Sequence, residues 1–133
     1  MHPCTRRQPP PLDPCELRFI DCADTLQQLQ QFAVAHRWLV PVFVKIDAGN
    51  KRAGVPDAAA YDLVAEVHEL GKGRDVGVQL LGIYSHSGHA YACTCAAEAQ
   101  ECAADECRRM GELCERLEKA GIQVPVISVG SVR

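Results

Sequence analysis

The sequence predicts an α/β fold of parallel strands joined by crossover helices, and three observations carry that reading. Three apolar, β-branched runs, Val42–Asp47, Val78–Tyr84 and Val124–Val129, each lead into a turn rich in glycine and polar residues. That is the pattern of a buried parallel strand that opens into a binding loop. Segments with apolar residues at helical spacing lie between them, over 24–36, 57–70 and 96–120. Strands and helices therefore alternate along the chain, which implies a parallel sheet with right-handed crossovers.

Residues 1–16 carry Pro3, Pro9, Pro10, Pro11 and Pro14 without periodicity and are expected to form a disordered or extended tail, with the folded domain over 17–133. Leu17–Cys22 reads as a short strand. Asp24 is expected to cap the first helix with Gln27 as its reciprocal partner, and Leu26, Leu29, Phe32 or Ala33, and His36 form its inner face. After the strand Val42–Asp47, Asp57 is expected to cap a second helix that runs to Leu70. Leu63, Val64, Val67 and Leu70 point inward there, and Gly71 stops the helix. Val78–Tyr84 is the third strand. A long helix over Ala96–Ala120 ends at Gly121, turns Met110, Leu113 and Leu117 inward, and pairs Glu112 with Arg116 and Glu115 with Lys119 outside. Val124–Val129 is the fourth strand. Four strands are half of the eight that close a (β/α)8 barrel, so the element count leaves two architectures, a small open α/β domain and a half-barrel.

Composition narrows the function classes. A chain of 133 residues with 47% apolar content holds one domain with a real core, and 5% aromatics leave that core to Val, Leu, Ile and Ala. The balance of 14 basic against 17 acidic residues, net −3 without a basic stripe, argues against a nucleic-acid partner. No apolar run approaches the roughly 20 residues that span a bilayer. Met1–Arg7 precedes no apolar signal core, so a cytoplasmic location is expected. The eight cysteines, Cys4, Cys15, Cys22, Cys93, Cys95, Cys102, Cys107 and Cys114, are read as free thiols, several of them small buried hydrophobes. Cys107 and Cys114 lie one heptad apart and are expected to share a core stripe.

The strand ends hold the chemistry-bearing residues. Arg52 sits in a loop bounded by Gly49 and Gly54, Tyr84, His86, His89 and Tyr91 follow the third strand, and Ser128, Gly130 and Ser131 follow the fourth. Carboxyl ends of parallel strands are where α/β folds place their sites, and backbone amides in the last turn can cradle a phosphate. A rival reading takes His86, His89, Cys93 and Cys95 as a short-range set of zinc-type ligands.

In that order and at that spacing, "VKIDAGNKRAGV", "GIYSHSGHAY" and "VISVGS" resemble the D-serine dehydratase and D-threonine aldolase group, pyridoxal-phosphate enzymes on the alanine-racemase-type barrel. The resemblance runs from about Leu17 to Ser131 and favours a partial (β/α)8 TIM-type barrel of about four strands and three crossover helices. It implies pyridoxal 5'-phosphate as cofactor, with Arg52 near its phenolic oxygen, where a fixed cation stabilises developing negative charge. It implies His86 against the face of the pyridine ring, further cofactor contacts from Tyr84, Ser128, Gly130 and Ser131, and Lys45 as a support for Arg52. Tyr84 and His89 are the catalytic candidates, His89 because imidazole titrates near working pH.

The implied reaction is that of a lyase acting on D-hydroxy amino acids, by β-elimination of the hydroxyl or by retro-aldol cleavage, with a zinc ion polarising the hydroxyl. The family's Schiff-base lysine and zinc ligands match nothing in this sequence, and the turn after "VGS" continues as Val132-Arg133 where the family has Thr and Pro. The chain is therefore expected to be a fragment of an enzyme that is a homodimer in full-length relatives. A non-catalytic pyridoxal-phosphate protein or a half-barrel partner is the alternative. An open half-barrel exposes two sheet edges and an inner face, both association hazards. Sedimentation velocity on the purified chain is expected to show oligomers or aggregates. A clean monomer with a sharp, concentration-independent unfolding transition would count against the half-barrel.

Overall fold

The structure, a computed structural model, describes residues 18–49, 51 and 53–130. The proline-rich segment read as a tail lies outside the described residues. In chain order the elements are β1 (Arg18–Ile20), α1 (Ala23–His36), β2 (Leu39–Asp47), β3 (Val55–Pro56), α2 (Asp57–Gly71), β4 (Gly77–Ser85), a 3-10 helix (Gly88–Ala92), α3 (Ala96–Lys119) and β5 (Val126–Ser128). Every strand pairing is parallel. The sheet order β1-β2-β4-β5 follows the chain, and β3 pairs the last two residues of β2. Because each crossover steps in the same direction, right-handedness places α1, α2 and α3 on one face of the sheet. That is the arrangement of a barrel wall, as expected for a partial (β/α)8 fold.

The covered face is the core. Ile20, Val40, Val42, Val44, Ile46, Val78, Leu80 and Ile83 on the strands pack against Leu26 and Ala33 of α1, Leu63, Val64 and Val67 of α2, and Met110, Leu113 and Leu117 of α3. The inward positions of α2 and α3 are those the periodicity indicates. In α1 Leu26 and Ala33 are buried and Leu29 packs against the core, as the periodicity indicates; Gln30 joins them, while Phe32 and His36 are exposed. Gln30 replaces an apolar residue because its Oε1 accepts the Val78 amide at 2.8 Å, tying α1 to the start of β4.

Several capping and pairing expectations fail for local reasons. The N-cap of α1 is Cys22, which leaves Asp24 inside the first turn, and Gln27 donates to Glu66 of α2 at 2.6 Å instead of closing a box. The N-cap of α2 is Pro56, and Asp57 accepts from Arg109 of α3 at 3.0 Å. Gly71 is the last residue of α2 and not its stop, lying where a Cβ would come 2.7 Å from the Val78 carbonyl. Glu112 pairs with Arg108, while Arg116 stacks over the Tyr61 ring at 4.7 Å. No ion pair joins Glu115 to Lys119 among the described residues. Cys107 is exposed and Cys114 half-buried, so the core stripe of α3 runs through Glu106, Met110, Leu113 and Leu117.

The opposite face of the sheet carries no helix among the described residues. Directly paired residues of parallel strands share a face, so Phe19, Phe43, Gly82 and Val126 form one row across it, and Lys45, Tyr84 and Ser128 the next. Phe43 is buried by Phe19, whose ring centroid is 5.9 Å away, and by the bare backbone of Gly82. A Cβ on Gly82 would stand 2.5 Å from Phe43 Cε1 and collide with the Val126 carbonyl, so the residue is glycine because two strands and a ring meet there. Gly82→Ala is expected to destabilise the chain by about 1–3 kcal/mol in chemical denaturation, the usual cost of overpacking.

Candidate functional site

Three strand ends meet at one edge of the sheet. The first is Asp47, whose Oδ1 accepts the amides of Gly49 and Lys51, both at 3.0 Å. This side chain closes the loop on itself, the usual work of an Asp at a turn. Lys51 takes the left-handed conformation at φ 55, a strained setting for a residue with a Cβ. Gly54, at φ +128, returns the chain so closely that a Cβ would lie 2.7 Å from the Asp47 amide. The loop is therefore held at its base by Asp47 and Gly54. Arg52 itself lies outside the described residues.

The second end is that of β4. Tyr84 sits between Lys45 of β2 and Ser128 of β5 in direct register. The Lys45 ammonium is 6.0 Å from the Tyr84 ring centroid, and the Phe19 ring is 5.2 Å from it. His86 meets the Tyr91 ring edge-on at 6.0 Å. His89 packs under the first loop, with Nε2 3.6 Å from where a Gly49 Cβ would stand. Ser85 Oγ, Ser87 Oγ and His89 Nδ1 are buried and find no hydrogen-bond partner among the described residues. Ser85 shares the helix-covered face with Ile46 and Ile83, so its hydroxyl lies beneath the sheet, while Ser87 and His89 belong to the loop at the carboxyl end of β4. The unpartnered Ser87 and His89 atoms and the open-face phenol of Tyr84 leave this end able to receive a polar, aromatic group.

The third end is β5. Ser128 is half-buried. The Gly130 carbonyl accepts the Ser87 amide at 3.2 Å, and the Gly130 amide donates to Glu106 Oε1 of α3 at 3.4 Å. That amide is thus already engaged and not free for a phosphate. Ser131 lies outside the described residues. Sequence reasoning passed over Glu106, Asp47, Ser85 and Ser87. Glu106 was findable, since a carboxylate stands in the i, i+4, i+7 series with Met110 and Leu113. Asp47 was findable from Asp-Ala-Gly at a strand end.

Charges below the site form a belt. Arg109 joins Asp105 at 2.9 Å and Asp57 at 3.0 Å, linking α3 to α2. The Arg108 guanidinium, hydrogen-bonded at 2.6 Å, holds the Asp105 carboxyl below its ordinary value, with Arg109 and His89 adding to the effect. The Thr94 amide and hydroxyl lower Glu98 in the same way. Among the described residues no three His, Cys, Asp or Glu side chains converge to hold a metal. His86, His89, Cys93 and Cys95 therefore do not form the zinc set that their spacing allows.

A sequence-family model described as alanine racemase, N-terminal domain, matches residues 18–131. The chain belongs to this family. Within the alanine racemase N-terminal family, a curated relative is the D-serine dehydratase of Dictyostelium discoideum, 36% identical over 91 residues, or 68% of this chain and 23% of that protein. The D-threo-3-hydroxyaspartate dehydratase from Delftia sp. HT23 superposes with a TM-score of 0.72 at 22% identity, over 86% of this chain and 34% of that one. An alanine racemase of Clostridium difficile 630 gives 0.65 at 22%, over 86% and 29%. The chain thus spans about a quarter to a third of the length of these relatives. No helix among the described residues is long and apolar enough to cross a membrane.

The Asp105 shift fixes a sign. A carboxyl whose folded value is depressed from 3.8 contributes stability above that value and loses it as pH falls through the folded one. Thermal melts of wild type and Asp105→Asn are therefore expected to differ most near neutral pH and to converge as pH falls below the ordinary carboxylate range.

Proposed function

We propose that this chain forms part of the pyridoxal-phosphate-binding wall of a fold-type-III lyase acting on a D-hydroxy amino acid, by dehydration of the D-serine dehydratase type. The observation that carries the reading is the row Lys45–Tyr84–Ser128 at the carboxyl ends of three adjacent parallel strands, followed by the loop that holds the unpartnered Ser87 and His89 atoms. The identity of 36% to a D-serine dehydratase supports the reaction class.

When bound, pyridoxal phosphate supplies an electron sink for the electrons released at the substrate α-carbon. The remaining work falls to side chains. Tyr84 presents a phenol on the open face, with the Lys45 ammonium near its ring, so a hydrogen bond from that hydroxyl is made in a positive field. His86 offers an imidazole face steadied by Tyr91, suited to lie against an aromatic ring. Arg52, presented by the loop that Asp47 closes, would meet the phenolic oxygen.

Ser128 and Ser131 would serve the phosphate, with Gly130 shaping the turn and not donating to it. His89 is the proton-transfer candidate, because its Nδ1 is buried and has no hydrogen-bond partner among the described residues. Zinc, homodimer formation and retro-aldol cleavage of the D-threonine aldolase type belong to the same reading as properties of a complete enzyme, whose remaining barrel would cover the open face.

The test is titration of the purified chain with pyridoxal phosphate, followed by absorbance, borohydride reduction and intact mass. Reversible binding without a borohydride-stable adduct on one lysine is expected. Tyr84→Phe and His86→Ala are each expected to weaken binding about three- to tenfold, the loss of one hydrogen bond or ring contact. Scattered fixation on several lysines, or affinity unmoved by both substitutions, would remove this site from consideration.

A further inference from the structure

Among the described cysteines, one pair is in contact: Cys93 Sγ lies 3.5 Å from Cys102 Sγ, and both residues are half-buried. Cys93 follows the 3-10 helix that carries His89 and Tyr91, in extended backbone at φ −67 and ψ 135. Cys102 sits on the second turn of α3. We propose that Cys93 and Cys102 form a reversible disulfide, an oxidation site that fastens the loop after β4 to α3.

The distance is that of two touching sulfurs, and a disulfide needs about 2.05 Å. The remaining approach of roughly 1.5 Å falls to Cys93, because extended backbone outside a helix can move while a helix interior cannot. The local setting favours this. Thr94 donates its amide at 2.7 Å and its hydroxyl at 3.0 Å to Glu98, which anchors the chain just past Cys93 to the first turn of α3. The loop is therefore already folded back on the helix that holds its partner.

Access to Cys93 is provided by an open groove of about 760 Å³ between the 3-10 helix and α3, which Cys95 and Cys107 also line, so of the pair Cys93 is the thiol that meets an oxidant first and Cys102 the one that resolves the bond. The groove is within the range of small-molecule clefts, about 300–1,000 Å³. The Cys102 hydrogen bond, followed by burial, raises the Cys93 thiol above its ordinary value. Cys93 thus rests as a thiol, and the selectivity of the pair comes from contact and not from an activated thiolate.

The oxidant is a low-molecular-weight disulfide. One protein thiolate attacks it, forms a mixed disulfide and releases one small thiol. The second protein thiolate then displaces the other small thiol from the protein sulfur. Two protein thiols are oxidised by two electrons, one small disulfide is reduced to two thiols, and the two protein protons end on those thiols.

The experiment uses the full chain, reduced and then incubated with oxidised glutathione. Remaining thiols are blocked and the protein is cleaved after glutamate. Trypsin does not serve, because no Lys or Arg lies between Arg74 and Arg108. Cleavage after Glu98 and Glu101 separates Cys93 from Cys102. The expected product is an intramolecular link between the peptide ending at Glu98 and the one beginning at Cys102, with fragmentation placing the bond on Cys93. Dithiothreitol should reverse it, and the oxidised chain should melt at a higher temperature.

Cys95→Ser is expected to leave the link intact, and Cys102→Ser to leave Cys93 as a mixed disulfide with glutathione. A bond at Cys95 or Cys107, a link found only between two chains, or a stable mixed disulfide on wild-type Cys93 would overturn the proposal. The wild-type measurement decides the matter even if a substituted chain fails to fold.

Discussion

The register between β2 and β4 is the constraint on which everything else rests. The two strands pair from Leu39↔Gly77 to Ile46↔Ser85, with one slip: Val42 faces Leu80, while Phe43 faces Gly82. Leu81 is the extra residue. Because strand side chains alternate, a single inserted residue changes which face each later residue occupies. Without the slip Phe43 would face Leu81 and Lys45 would face Ile83, and Tyr84 would be turned into the helix layer. With it, Ile83 joins Val44 in the core, and Gly82 and Tyr84 reach the open face beside Phe43 and Lys45. One bulge thus does two things, filling the hydrophobic core and exposing the phenol.

The same topology explains why the open face is chemically mixed. Parallel strands must be joined by long crossovers, so the chain orders many residues before a pairing returns any contact energy. The helix-covered face carries that cost with a continuous set of Val, Leu and Ile. The other face is relieved of packing duty and can hold Lys45, Tyr84 and Ser128 in one row. Its aromatic row below, with Phe19 at 53% exposure over a buried Phe43, is too apolar for a surface meant to stay in water. A wall of a larger barrel reconciles the two, with apolar residues toward the barrel floor and polar ones at its mouth, in keeping with the family assignment.

Most of the fold was legible because period and punctuation agree: each strand run ended in Gly or polar residues, and each helix kept one apolar stripe. The failures have physical sources. Asp24 and Asp57 looked like caps, yet backbone geometry placed the caps at Cys22 and Pro56 and sent Asp57 to a tertiary partner, Arg109. The 3-10 helix over Gly88–Ala92 is too short to impose a period. The bulge at Leu81 leaves only a faint local mark, the doubled leucine followed by Gly82 inside a strand run. Of the candidate site, the three strand ends and the placement of Tyr84, His86 and Ser128 at them could be read from sequence. The buried state of Ser85 and Ser87, and the contact of Cys93 with Cys102, depend on tertiary placement that spacing alone does not carry.

The placement of Gly130 shows how a weakly packed element is kept in position. β5 is three residues long, and both Val126 and Ile127 are exposed, so little apolar burial holds it. Its turn is held by polar ties instead, with Ser87 from the neighbouring loop and Glu106 from α3 gripping the two sides of one residue. A carboxylate at 1% exposure is costly unless it is hydrogen-bonded. Glu106 is therefore tolerated in the α3 core stripe because it meets a backbone amide that the short strand cannot otherwise satisfy. An apolar residue at that position would pack as well against Met110 but would leave Gly130 fixed from one side only. The polar exception in the stripe and the shortness of β5 are two halves of one solution to holding the turn after β5 in place.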